Sequence, residues 1–129
     1  MNEKLVRIIF AIAGIYDGLL GLAFFVLPAS IFLYYGVEPP NHLAYVQFPA
    51  LLLLIFAAMF FRVARDPYNN RVIMLYGCGL KLSYCALAFW YLLNGGIPSM
   101  WVPWAWIDLL FLLLFLAAWV STGKLPKSV

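Results

Sequence analysis

Four long apolar segments dominate this chain of 129 residues. Each segment is long enough to cross the roughly 30 Å hydrocarbon core of a bilayer, which takes about 20 helical residues. With 67% hydrophobic and 10% charged residues, the chain cannot build a water-soluble surface, since globular domains carry about 25% charged residues. The sequence predicts an all-α polytopic membrane protein, a bundle of four transmembrane helices that forms one domain over residues 1–129. The predicted spans are residues 5–27, 43–61, 72–93 and 101–120.

The basic residues predict how the bundle is oriented. Apart from Lys81, they all flank the predicted spans on one side: Lys4, Arg7, Arg62, Arg65, Arg71, Lys124 and Lys127. The two connections on the other side, residues 28–42 and 94–100, hold Glu38 as their only formal charge. The positive-inside rule therefore places both termini in the cytoplasm. This topology and the attraction of basic residues to the lipid bilayer account for the net charge of +3, so no nucleic-acid partner is expected.

The first outer connection, residues 28–41, has an interfacial composition. It carries an apolar patch at residues 31–35 and closes with Pro39, Pro40 and Asn41. We expect a short interfacial turn or helix there, with Asn41 capping the second span.

Asp17 and Lys81 are charged residues in the middle of apolar spans. A charge at this depth costs about 2.5–3.5 kcal/mol on insertion scales, so each must be matched by a partner or serve a function. Asp17 follows Arg7 by ten residues and Lys81 follows Arg71 by ten. Both therefore lie about 15 Å from the cytoplasmic boundary. The sequence leaves two interpretations open, a structural salt bridge that fixes helix register and a functional site.

Further polar residues lie closer to the outer boundary. Asp108 and Gln47 fall about 7–11 Å beneath it, and the long Lys81 side chain reaches toward that layer. Tyr84 follows Lys81 by one helical turn. We expect these residues to line a small cavity that opens to the outside, with His42 near its mouth.

Each of these residues also has an alternative structural explanation. Asp108 can form a hydrogen bond to Tyr84 or to a backbone carbonyl group, and His42 fits the cap region of the second span. A metal site is not expected, because the chain has one histidine and no paired metal-ligand motif. No cofactor is evident.

The spacing of small and polar residues predicts which helix faces point inward. On the first span, Gly14, Asp17, Gly18 and Gly21 form a stripe that lets another helix approach closely. Similar faces are predicted on the other three spans. They comprise Met74, Gly77, Cys78, Lys81, Tyr84, Cys85 and Ala88 on the third, Trp101, Trp104, Asp108, Phe111, Leu112, Phe115 and Trp119 on the fourth, and Gln47, Ala50, Leu51, Leu54 and Ala58 on the second.

The four spans and the glycine-rich run at residues 14–21 resemble the DoxX-like group of small bacterial inner-membrane proteins. The runs at residues 39–42, 45–50, 64–67 and 106–108 look like those of uncharacterised bacterial membrane proteins. The resemblance implies a bacterial cytoplasmic membrane. Because some DoxX-like proteins are associated with membrane oxidoreductases, it also implies an accessory role. The small multidrug transporters share the size and a first-helix carboxylate, but theirs is a glutamate and Lys81 departs from their pattern.

Three functional hypotheses follow. The first is an accessory subunit or ligand-binding bundle in which Asp17 and Lys81 pair and Gln47, Tyr84 and Asp108 hold a small lipophilic or quinone-like molecule. Larger membrane subunits or a second copy of the chain are its expected partners. The second is a proton-linked, oligomeric transporter. The third is a membrane enzyme that uses acid–base chemistry through Asp108 and Lys81. Enzyme function is less favoured than a non-enzymatic role. Hydrolysis and phosphoryl transfer are not expected, because the sequence lacks their motifs.

Overall fold

The computed structural model describes residues 1–123 and is helical throughout that range apart from short connections. The elements are α1 (Glu3–Val26), α2 (Pro28–Tyr35), α3 (Ala44–Arg65), α4 (Arg71–Leu93), a 3-10 turn (Ser99–Trp101) and α5 (Val102–Gly123). The described residues contain no β-strand, and four helical stretches, α1, α3, α4 and Ser99–Gly123, are long and apolar enough to cross a membrane. The predicted all-α chain with four candidate spans is therefore confirmed. Lys124 and Lys127, which contributed to the predicted orientation, lie outside the described residues.

Helix α3 differs from the prediction at both of its ends for local reasons. Helix α3 continues to Arg65, four residues past the predicted end of that span, and carries Arg62 and Arg65 in its last turn, where positive charge favours the helix dipole. The prediction that Asn41 caps this helix is wrong. Leu43 already has helical backbone angles, so Asn41 lies too far ahead, and His42 Nδ1 instead accepts a hydrogen bond from the Ala44 N–H at 3.1 Å.

The predicted outer segment contains helix α2. Pro28 starts this helix without needing an N–H partner, and Gly36 ends it in the left-handed conformation, with φ of 64°. Phe32 turns inward and is buried. Leu33 and Tyr34 are exposed, as an interfacial helix requires.

The long helices pack as two antiparallel pairs, α1 with α3 and α4 with α5. The glycine stripe of α1 makes the first pair close. A Cβ atom on Gly21 would lie 2.7 Å from the Ala50 carbonyl oxygen, and one on Gly18 would lie 3.5 Å from the Ala57 Cβ atom. The predicted interface on this face of α1 is therefore confirmed.

The predicted inward faces are correct for α4 and α5 and only in part for α3, where Ala50 is buried as expected. All members of the α4 face are buried except Tyr84, which is half-buried, and α5 buries Asp108, Phe111 and Phe115. On α3, the predicted members Leu51 and Ala58 are exposed. The buried residues of that helix are Ala50, Ala57, Phe60 and Val63.

Aromatic packing closes the half of the bundle near the basic residues. The Phe10 ring stacks on Phe115 with centroids 4.3 Å apart, and Phe60 meets Phe115 edge-on at 5.1 Å. Such pairs contribute about 0.5–1.5 kcal/mol beyond their buried area. These residues join both helix pairs into one core.

Two arginines seal the same end, which we call the basic end because it carries Arg7, Arg62, Arg65 and Arg71. Arg7 Nη1 donates hydrogen bonds to the last carbonyl groups of α3, at Ala64 and Arg65. Arg71 Nη2 donates to the Trp119 carbonyl oxygen of α5 at 2.8 Å. Each helix pair therefore satisfies C-terminal carbonyl groups that would otherwise lack a donor. The polar interior lies further along, toward the opposite end.

Candidate functional site

Lys81, Asp17 and Asp108 form a buried ionic cluster at mid-length of the bundle. The Lys81 Nζ atom lies 2.8 Å from both carboxylate oxygens of Asp17 and 2.9 Å from Oδ1 of Asp108. Lys81 is fully buried and Asp17 is 1% exposed, while Asp108 is 8% exposed. The predicted Asp17–Lys81 pair is therefore present, and Asp108 joins it.

Lys81 is held by rings as well as by carboxylates. Its Nζ atom lies 5.3 Å from the ring centroids of both Tyr16 and Phe111, a distance at which an ammonium group is attracted to a ring face. Three carboxylate oxygens contact the ammonium group. Lys81 is therefore enclosed by carboxylates and rings, and its side chain is fully buried.

The cluster contains two carboxylates and one ammonium group. Asp17 uses both oxygens on Lys81, whereas Asp108 uses one. The second oxygen of Asp108 has no hydrogen-bond partner among residues 1–123, and Asp108 lies on the wall of a cavity. With both carboxylates ionised, the cluster has one negative charge without a cation to match it.

This cavity has a volume of about 580 Å³ and runs from the ionic cluster toward the end opposite the basic end. Residues from every helix line it: Asp17, Leu20 and Phe24 of α1; Phe32 of α2; Tyr45, Val46, Pro49, Ala50 and Leu53 of α3; Leu80 and Tyr84 of α4; Trp104 and Asp108 of α5; and Val37, Glu38, Pro40, Pro98 and Trp101 from the connections. Exposed Glu38 and Pro40 mark its outer end. Its walls are aromatic and aliphatic, and its inner end is acidic.

Tyr84 and its neighbour Cys85 link α4 to the 3-10 turn and to α5 along one wall of the cavity. The Tyr84 hydroxyl group donates to the Trp101 carbonyl oxygen at 2.6 Å, and the Cys85 thiol donates to the Ala105 carbonyl oxygen at 3.4 Å. Tyr84 therefore lines the cavity, as expected, but it bonds to the 3-10 turn rather than to Asp108. These bonds hold the Trp101 segment in place over the cavity.

Gln47 and His42 lie away from the cavity lining. The Gln47 side-chain amide donates to the Phe25 carbonyl oxygen near the end of α1 at 3.1 Å. His42 caps the start of α3. The structure thus brings together Asp17, Lys81 and Asp108, places Tyr84 beside them on the cavity wall, and gives Gln47 and His42 backbone partners elsewhere.

Tyr16 and Trp104 adjoin the cluster. Trp104 was predicted on the inward face of the fourth span together with Asp108, whereas Tyr16 was not predicted to face inward. Their rings lie 6.2 Å apart, and the Tyr16 hydroxyl group and the Trp104 Nε1 atom are buried without a hydrogen-bond partner among the described residues. The spacing of Trp104 and Asp108, one helical turn apart, is the signal that placed Trp104 on that face.

Comparison with known proteins gives no match to this chain among protein-family models, curated proteins or solved structures. Within residues 1–123, no group of three or more histidine, cysteine, aspartate or glutamate side chains is arranged to hold a metal ion. The cavity and the ionic cluster are therefore the features of the described residues that bear on function.

Proposed function

We propose that this chain is a membrane protein that binds a small, largely apolar molecule in the cavity above the Asp17–Lys81–Asp108 cluster. One observation carries the proposal. A cavity of about 580 Å³ combines apolar walls with a polar inner end formed by two buried carboxylates.

The dimensions and the chemistry of the cavity support this proposal. Small-molecule sites have volumes of about 300–1,000 Å³ and combine apolar walls with a few polar groups that orient the ligand. Asp108 supplies such a group, since one of its oxygens has no partner in the described chain. A site that opens at exposed Glu38 and Pro40 also gives the ligand a route into the cavity.

The decisive experiment is native mass spectrometry on protein extracted gently from its own membrane, with identification of any bound species. Leu20→Trp fills the cavity from α1, and Leu19→Trp, on the adjacent exposed position, is its matched control. We expect one small molecule per chain in the wild type and in Leu19→Trp, and its loss in Leu20→Trp. Equal retention in both variants, or no bound molecule in the wild type, would overturn the proposal.

The resemblance to DoxX-like proteins suggests the setting in which this binding takes place. We infer an accessory role beside larger membrane subunits, and the same mass spectrum tests it. Co-purification with such subunits at fixed stoichiometry supports the accessory role. A monomer or a homo-oligomer that carries the ligand on its own contradicts it.

Proton-linked transport is the second candidate function, and the carboxylate of Asp108 favours it. A buried carboxylate without its own cation can take up either a proton or a cationic substrate. Asp108→Asn should abolish proton-coupled flux in vesicles, while Glu3→Gln, which changes an acid at the basic end, should leave it unchanged. Undiminished flux in Asp108→Asn excludes this candidate.

We further propose that the protein lies in a bacterial cytoplasmic membrane with both termini in the cytoplasm. The basic end and the nearly uncharged opposite end support this orientation. In a Cys78→Ser/Cys85→Ser background, a membrane-impermeant maleimide should label Ser30→Cys in intact cells but Asn69→Cys only after permeabilisation. Both positions are exposed. The reverse labelling pattern would show that the termini lie outside the cytoplasm and would overturn this orientation.

A further inference from the structure

We propose that the ligand of this cavity is a small organic cation, an ammonium group on an apolar body, whose charge is bound by Asp108 and whose body lies against the aromatic walls. This inference rests on the proposed function and names the ligand class of the same site.

The charges on the cavity wall are all of one sign. Asp17 and Asp108 form its inner end, Glu38 lies at its outer end, and the described residues that line it include no lysine, arginine or histidine. Lys81 does not line the cavity, because it lies fully buried behind the two carboxylates. A ligand therefore meets carboxylate oxygens at the inner end.

The hydrogen-bonding groups at the inner end of the cavity also favour a ligand with an ammonium group. Lys81 contacts carboxylate oxygens and does not line the cavity, and the Tyr84 hydroxyl group donates to Trp101. The indole N–H of Trp104 is buried and has no partner among the described residues. A ligand headed by a carbonyl or carboxylate group would find few donors here, whereas an ammonium group would find the second oxygen of Asp108.

The aromatic walls of the cavity can stabilise both the charge and the apolar body of an organic cation. Six aromatic residues line the cavity: Phe24, Phe32, Tyr45, Tyr84, Trp101 and Trp104. At the outer end, the Trp101 ring stacks on Phe24 with centroids 5.7 Å apart and meets Phe32 edge-on at 6.0 Å. Ring faces attract ammonium groups by about 0.5–2 kcal/mol each, so a cation remains stabilised along its path to Asp108.

Three probes with one apolar body and different head groups test the inference: phenylbutylamine, phenylbutanol and phenylbutanoate. Isothermal titration calorimetry near neutral pH on the detergent-solubilised full chain measures saturable binding, and the cavity-filling variant Leu20→Trp measures partition into detergent. We expect the amine to bind at least about tenfold tighter than the alcohol, and the carboxylate to bind weakest.

The variant Asp108→Asn identifies the residue responsible. It leaves Asp17 and Lys81 as a neutral pair, so the fold is retained, and it should reduce the preference for amine over alcohol to less than about threefold. Glu38→Gln, at the outer end, should keep most of the preference.

The outcomes separate this inference from the proposed function. If the alcohol binds as tightly as the amine in the wild type, and Leu20→Trp abolishes both, the cation inference fails while ligand binding stands. If Asp108→Asn keeps the full amine preference, Asp108 is not the residue that binds the charge and the inference is overturned. If no probe shows binding that Leu20→Trp removes, both the inference and the proposed function fail.

Discussion

Asp17 contacts Lys81 through both of its carboxylate oxygens, each 2.8 Å from the ammonium nitrogen. Asp108 contacts the same nitrogen through one oxygen at 2.9 Å. Two buried anions therefore share one cation, with Asp17 as the principal partner. The three residues should thus differ in what their removal costs.

Lys81→Met should be the most destabilising single change in the cluster. It leaves two buried carboxylates without a cation, and removing one partner of a buried pair costs about 3–5 kcal/mol. The free energy of unfolding can be measured in mixed micelles by titration with a denaturing detergent, followed by circular dichroism.

The matched control for that change removes the two acids as well. Adding Asp17→Asn and Asp108→Asn to Lys81→Met should restore most of the lost stability, because no isolated charge remains. A triple variant whose loss equals the sum of the three single losses would show that stranded charge is not the cause.

Asp17→Asn should cost more stability than Asp108→Asn. Both leave a neutral pair with Lys81, but Asp17→Asn replaces one of two contacting oxygens by an amide NH2 group that cannot accept, whereas Asp108→Asn can keep its single contact through Oδ1. Hydrogen bonds to charged groups contribute about 1.5–3 kcal/mol each. The same micelle titration gives the order, and a smaller loss for Asp17→Asn would contradict the assignment of Asp17 as principal partner.

Gly21→Ala should separate α1 from α3, whereas Gly18→Ala on the same face should be tolerated. The new Cβ atom at residue 21 would lie 2.7 Å from the Ala50 carbonyl oxygen, while that at residue 18 would lie 3.5 Å from Ala57. Overpacking of this kind costs about 1–3 kcal/mol. Thermal unfolding of the two variants in parallel is the measurement. Equal melting temperatures would mean that the helices do not approach as closely as described.

Arg71→Lys should weaken the junction between α4 and α5. The arginine donates to Thr122 Oγ1 at 3.0 Å and to the Trp119 carbonyl oxygen at 2.8 Å, and its guanidinium carbon lies 5.1 Å from the Trp119 ring centroid. A lysine cannot reproduce the planar, two-point geometry, so we expect a loss of about 1–2 kcal/mol.

Arg62→Lys serves as the control for Arg71→Lys, since Arg62 makes one exposed bond to Asn70 and should change stability by less than about 0.5 kcal/mol. Hydrogen exchange at the end of α5 should rise in Arg71→Lys alone. If hydrogen exchange rises equally in both variants, the contacts of Arg71 do not specifically stabilise the junction between α4 and α5.

Polar and small residues made the faces of α1, α4 and α5 predictable. Ionisable or glycine residues recur at helical spacing on one side of α1 and α4, and α5 carries Asp108 among aromatic residues. Such polar and small residues avoid lipid. The Asp17–Lys81 contact follows from their equal depth. Asp108 joins them because it lies nearer the outer end by only a turn or two, a distance that the lysine stem covers.

The face of α3 was predicted from sequence only in part. This helix is apolar on all sides, and its one polar side chain within the span, Gln47, bonds to the Phe25 carbonyl oxygen instead of marking the interior. Which side of such a helix is buried depends on its neighbours. Here the glycines of α1 select Ala50 and Ala57 as the contact residues.

The cavity itself could be predicted only in outline. The sequence placed Asp108 and Tyr84 in the outer half and Trp104 on the inward face of its span, but it did not place Phe24 or Phe32 beside them. Phe24, Trp101 and Trp104 line the cavity because the 3-10 turn and α2 fold over its outer end. That arrangement depends on the bond from Tyr84 to the Trp101 carbonyl oxygen.

The division of the bundle into two helix pairs also has a consequence for biosynthesis. Asp17 belongs to the first hairpin, and its cation follows 64 residues later in the second. The second hairpin contains both Lys81 and Asp108 and can enter a bilayer as a neutral unit. The first carries an acid whose cation lies in the second hairpin, so we expect the charge of Asp17 to be neutralised only when the two hairpins associate.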